Sequence, residues 1–75
     1  MDDLLTGSVM AVRGAVVDVA FDGGTLPAID TTLTVEWARP DRLVLEVHSH
    51  VDQRIVRAIA LQATTGLARD TVVAA

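Results

Sequence analysis

An all-β domain, folded as a meander or a closed barrel, is what these 75 residues predict. Three observations carry the prediction. Apolar and polar side chains alternate with a period of two in successive short runs, those runs are rich in valine, and glycine or proline punctuates the gaps between them. Valine's branched Cβ restricts χ1 and suits a pleated surface better than a helix, so propensity and period agree. Five or six strands of roughly 5 to 6 residues would use half the chain, an ordinary load for a small sheet, and closure removes exposed edges.

Ser8 to Val12 and Ala15 to Phe21 form the first two runs, separated by Arg13-Gly14. They predict a hairpin in which Gly14, at the second turn position, supplies the positive φ of a tight connection. Within the second run Val17, Val19 and Phe21 share one face, while Val16, Asp18 and Ala20 share the other. Asp22-Gly23-Gly24-Thr25 breaks the chain, and Pro27 makes Leu26 to Ile29 an extended edge or loop segment lacking one backbone donor. Leu33, Val35 and Trp37 alternate with Thr34 and Glu36 in a third strand. Arg39-Pro40-Asp41-Arg42 then turns, because proline presets φ at the first central position.

Leu43, Leu45 and Val47 alternate with Val44, Glu46 and His48 in a fourth strand. Gln53 to Ala63 is ambiguous: Ile55, Val56, Ile59, Ala60 and Ala63 fall at helical spacing among good helix formers. The residues alone leave helix and strand open there. Thr64-Thr65-Gly66 ends that element, and Thr71-Val72-Val73 supplies a short closing strand. No internal repeat or linker divides the chain, so residues 1–75 are expected to be one domain. The apolar ending Val72-Val73-Ala74-Ala75 suggests a piece of something longer.

Composition excludes several function classes. The hydrophobic fraction of 51% against 21% charged is too apolar for a disordered chain. Cysteine is absent, which removes disulfides and thiolate metal sites. All six basic residues are arginine, so no phosphate-loop lysine or Schiff base can form. A net charge of −4, scattered arginines and only Phe21 and Trp37 as aromatics argue against nucleic acid, which needs clustered positive charge or stacking platforms. No apolar run is long enough to span a membrane, and the start Met1-Asp2-Asp3 is wrong for a signal peptide, so a soluble chain is expected.

Local constellations are few. Glu46, His48 and His50 lie at i, i+2 and i+4, so one strand face could offer a carboxylate and two imidazoles to zinc. Side chains near 7 Å apart along a strand are too widely spaced for one tetrahedral ion, and a solvated face is the better reading. Ser8 and Ser49 are the only serines, and Ser49 lies on the strand face opposite the histidines, which keeps base and hydroxyl apart. Gly23-Gly24 leads into Thr25-Leu26-Pro27 rather than a helix and reads as a turn, not a phosphate cradle. Asp2, Asp3 and Asp70 beside Arg69 read as solvated charges near the ends. No catalytic, cofactor-binding or metal-binding residue is assigned.

Taken in order, the run from Gly7 to Phe21, then Gly24-Thr25-Leu26-Pro27-Ala28-Ile29, Arg42 to Val47, His50, Val56 to Leu61 and Thr64 to Arg69 resemble the amino-terminal domain of the F-type ATP synthase beta subunit. The resemblance covers essentially the whole chain, from about Gly7 to Val73. It implies a closed six-stranded β-barrel in which Arg54 to Leu61 is a strand. It also implies a place at the crown of an alternating alpha and beta hexamer, where barrels hold neighbouring subunits together. The parent subunit would make ATP from ADP and phosphate using an ion gradient, in a peripheral complex on the cytoplasmic side of a bacterial plasma membrane. The ATP, ADP and magnesium sites belong to later domains, with no cofactor in this stretch. Two positions depart from the pattern. Asp70 stands where the family usually has glycine, and His48 where a small or uncharged residue is usual. Both departures fit a divergent branch, sodium-translocating forms among them.

Three readings follow. The first is an assembly barrel whose isolated form is expected to hold only about 2 to 5 kcal/mol and to self-associate. The second is a stand-alone barrel that captures a peptide or protein on an edge strand. The third, a zinc-dependent enzyme, requires Glu46, His48 and His50 to converge.

Overall fold

A computed structural model describes residues 5–75. The expectation for Asp2 and Asp3 lies outside the described residues. Six strands form in chain order: β1 (Thr6–Arg13), β2 (Val16–Phe21), β3 (Thr32–Glu36), β4 (Val44–His50), β5 (Ile55–Ala60) and β6 (Val72–Ala74). They close into a barrel in the order β1-β2-β5-β4-β3-β6, every neighbouring pair antiparallel. The described residues contain no helix. The all-β class and the closed six-stranded barrel are as the sequence and its resemblance led one to expect.

The first hairpin is present, but its turn sits one residue further on. Arg13 pairs with Val16, so the two-residue connection is Gly14-Ala15, with Gly14 first at φ 60°. A positive φ at the first central position alone is the signature of a type II′ turn, which matches the twist of the flanking strands. In β2 the alternation holds residue by residue: Val17, Val19 and Phe21 are buried, and Val16, Asp18 and Ala20 half-buried. Gly24 at φ 75° and Asp30 at φ 74° shape the long connection to β3. β3 ends at Glu36, one residue before the predicted limit. Trp37 leaves the ladder to donate its Nε1–H to the Asp41 carbonyl at 2.9 Å, with the Arg39 guanidinium over its ring at 5.2 Å.

The ambiguous segment is a strand. Val56, Ala58 and Ala60 point into the core, while Ile55, Arg57 and Ile59 line the outside. Helix propensity is worth only tenths of a kcal/mol per residue, and pairing with β2 on one side and β4 on the other outweighs it. Asp52 sets up the turn into β5 by accepting from the backbone N–H groups of Arg54 (2.8 Å) and Ile55 (2.9 Å).

Among the described residues the core is aliphatic apart from Phe21 and holds no polar side chain. Two bulges interrupt the ladders, one at Met10 in β1 and one at His48 in β4. Asp70 adopts φ 71°, a left-handed conformation that glycine takes freely and that costs other residues about 1–2 kcal/mol, with aspartate among the more tolerant. Asp70 thus keeps a glycine-like backbone at the position where the family usually has glycine, and its N–H donates to the Val9 carbonyl at 2.8 Å. Asp70→Val is expected to lower unfolding free energy by about 1–2 kcal/mol, and Asp70→Gly to leave it equal or slightly higher. Urea titration of the three proteins checks this; equal stability for the valine variant would contradict the assigned conformation.

Candidate interaction surface

Register in the β2–β5 ladder builds one outward patch. Val16 lies opposite Ile59, Asp18 opposite Arg57 and Ala20 opposite Ile55. Opposed residues in a ladder point to the same side, so four aliphatic side chains surround one ion pair. All six are half-buried on the wall of an isolated barrel.

The ion pair is held in a fork. Arg57 donates from Nε to Asp18 Oδ1 at 3.0 Å and from Nη2 to Oδ2 at 3.3 Å, and Arg13 Nη2 stands 3.6 Å from the same Oδ2. The Asp18 side chain is only 14% exposed, against 40% for Arg57. Hydrogen bonding to Asp18 first, and attraction to its charge second, raises the Arg57 pKa above its ordinary value. Stabilisation from a raised guanidinium is complete below the unfolded pKa and is lost only as strongly alkaline pH passes the folded one. Near neutrality Arg57 therefore adds no pH dependence. Sequence reading missed the clamp. An acid on the outward face of a valine-rich strand signals a cationic neighbour, but only strand order reveals that Arg57 supplies it.

The histidine trio does not converge. Glu46 and His48 are exposed on the outside of β4. The bulge at His48 resets the alternation, so His50 pairs with core-facing Val56 and leaves the face of Glu46. His50 Nε2 lies 2.8 Å from the Pro27 carbonyl, and since a carbonyl only accepts, Nε2 carries the proton. The expectation of one shared face is thus corrected, with the bulge as its cause. Among the described residues no three His, Cys, Asp or Glu side chains gather as a metal site. Zinc titration watched by the histidine NMR signals is expected to produce no saturable tight binding; micromolar saturation would refute this placement.

Ser8 lies in β1 opposite Val72, and Ser49 in β4 opposite Arg57; among the described residues neither hydrogen-bonds a histidine. Gly23 and Gly24 form a bend with open space around them. Arg69 and Asp70 are exposed, as expected. Among the described residues each strand has two hydrogen-bonded neighbours, so no whole edge strand is left unpaired for the edge-capture reading to use. No helix among the described residues is long and apolar enough to cross a membrane.

These features define a small closed antiparallel barrel whose distinctive chemistry lies on its outer wall rather than in a cleft. The chain belongs to the ATP synthase alpha/beta family: the family's beta-barrel domain matches residues 9–75. It is 55% identical over 69 residues to ATP synthase subunit beta 2 of Gluconobacter oxydans (strain 621H), covering 92% of this chain and 14% of that subunit. Subunits of the same name from Burkholderia pseudomallei (strain K96243) and Burkholderia thailandensis are 52% and 51% identical over the same length, again covering 92% of this chain and 13% and 14% of theirs. The chain thus spans about one-seventh of the curated relatives it matches.

Proposed function

We propose that this barrel is an assembly domain of an ATP synthase beta subunit, joining neighbouring alpha and beta subunits into an alternating ring without taking part in catalysis. The observation that carries the reading is the outer wall of β2 and β5. Val16, Ala20, Ile55 and Ile59 surround a carboxylate already neutralised within the chain. Internal pairing lowers the cost of covering a charge, and aliphatic surface gains from being covered. A neighbour that binds only the folded barrel also stabilises it, which suits a domain with so small a core. The parent subunit, by likeness to its relatives, makes ATP from ADP and phosphate in a peripheral complex on the cytoplasmic side of the membrane. Nucleotide and magnesium bind in its later domains.

Two measurements test this. Ile59→Arg in the parent subunit, co-expressed with its alpha partner, is expected to reduce recovered ring at least about tenfold while this barrel keeps its circular dichroism; an undiminished ring would defeat the assignment. The purified 75-residue chain is expected to leave ATP intact, and turnover carried by the chain itself would defeat the non-catalytic half.

A further inference from the structure

Because every neighbouring pair of strands is antiparallel, the connections divide between the two ends of the barrel. At one end the Ala75 N–H donates to the Leu5 carbonyl at 2.9 Å, and the β2–β3 and β4–β5 connections lie at that same end. The β1–β2, β3–β4 and β5–β6 connections form the far end, where Thr64 Oγ1 donates to the Gly14 carbonyl at 2.8 Å. Charge divides as well. Connections at the terminal end carry Asp22, Asp30 and Asp52 against Arg54, whereas those at the far end carry Arg39, Arg42 and Arg69 against Asp41 and Asp70. Arginines scattered along the sequence thus gather at one pole of a chain whose net charge is −4. Whichever terminus leads into the parent subunit's other domains, that pole points away from them.

A cleft of about 400 Å³ opens at the far end between the β3–β4 and β5–β6 connections, and its lining includes Trp37, Arg39, Asp41, Arg42, Gln62 and Thr65. Its donors are set in advance. The Arg39 guanidinium lies over the Trp37 ring and so close to Gly66 that a Cβ there would collide with Arg39 Nη1. Gln62 Oε1 accepts the Val44 N–H at 2.8 Å, which leaves the side-chain NH2 as a donor. Among the described residues neither Arg39 nor Arg42 forms an ion pair, even with Asp41 in the same cleft.

We propose that this cleft takes a carboxylate side chain of an acidic, extended peptide segment from a partner protein, Arg39 and Arg42 supplying the charge and Trp37 covering the apolar atoms beside it. Guanidinium forks match carboxylates, arginine clusters recognise acidic motifs, and tryptophan and arginine carry much of the energy of small contacts. Three arginines against two aspartates are too small a surplus for a nucleic-acid backbone. A second copy could offer only its own acidic terminal end, from which the parent subunit continues. The inference is independent of the wall contacts proposed above, since the cleft lies at an end of the barrel and not on its side.

Trp37, the sole tryptophan, reports on the cleft directly. The 75-residue chain is titrated with a short, acetylated and amidated peptide of alternating leucine and glutamate while its indole and amide NMR signals are followed. A saturable indole shift is expected, with a Kd of about 1 mM or tighter, and the glutamine counterpart of the peptide is expected to bind at least about tenfold more weakly. Arg39→Gln and Arg42→Gln are each expected to weaken binding at least about threefold, and Asp41→Asn, which removes a repelling charge, to tighten it about twofold. Should Arg39→Gln lose the dispersed amide spectrum, Arg39→Lys serves instead; it keeps the charge without the fork and is expected to weaken binding less. No saturable shift, equal binding of the glutamine peptide, or indifference to both arginines would overturn the proposal. An equal indole shift from inorganic phosphate would give the cleft to small anions, and one that grows with protein concentration alone would give it to a second copy; either overturns it. Ring recovery with Ile59→Arg is read separately, so the assembly reading stands or falls without this result.

Discussion

Phe21→Ala is expected to abolish cooperative folding of the isolated barrel. Phe21 is the only phenylalanine, 1% exposed, in a core otherwise made of smaller aliphatic side chains. Removing a buried phenylalanine ring costs about 3–5 kcal/mol, because the walls of the resulting cavity relax only partly. A domain this small is expected to hold about 2 to 5 kcal/mol in all, so the loss consumes most or all of its stability. Urea unfolding followed by circular dichroism and by the fluorescence of Trp37, the sole tryptophan, reads the outcome. Phe21→Leu, which keeps most of the volume, is expected to retain a sigmoidal transition at lower urea. A cooperative Phe21→Ala transition within about 1 kcal/mol of the parent would show that the ring is not what fills the barrel.

Gly7→Ala is the converse experiment at the same place. A Cβ on Gly7 would stand 2.5 Å from the Ala20 carbonyl oxygen and 3.0 Å from two carbons of the Phe21 ring. Gly7 is paired on both sides, with Phe21 in β2 and Val73 in β6, so β1 cannot move off one neighbour without straining the other ladder. Overpacking of this kind is expected to cost about 2–3 kcal/mol. The double variant Gly7→Ala with Phe21→Leu separates the two obstacles. Because the nearer one is a backbone oxygen, trimming the ring is expected to bring no recovery. Full recovery would locate the conflict in the ring alone, and an unchanged Gly7→Ala would show that the strands are not so closely apposed.

Much of the barrel was legible because a strand writes its orientation into its own residues. Val17, Val19 and Phe21 could be placed inside from alternation alone, and so could Leu33, Val35, Leu45 and Val47. The turn at Gly14 was legible to within one residue, since glycine marks positive φ but not which turn position it fills. The candidate surface was much less legible. Asp18 sat inside a run that reads as ordinary strand, and its partner Arg57 is 39 residues away. The Glu46, His48 and His50 spacing looked regular, yet one extra residue at His48 sent His50 to the other side.

What the sequence by itself determined was the set of strands up to Val47 and which of their side chains face inward, because the pleat forces neighbours to opposite sides whatever lies around them. The residue pattern left β5 open between helix and strand, and only the family resemblance implied a strand; the tertiary structure alone decided that β2 lies beside β5 to join Asp18 to Arg57, and that β2–β5 and β3–β6 form opposite walls. Those outcomes depend on hydrogen bonds and burial between segments far apart in the chain, and no local period encodes them.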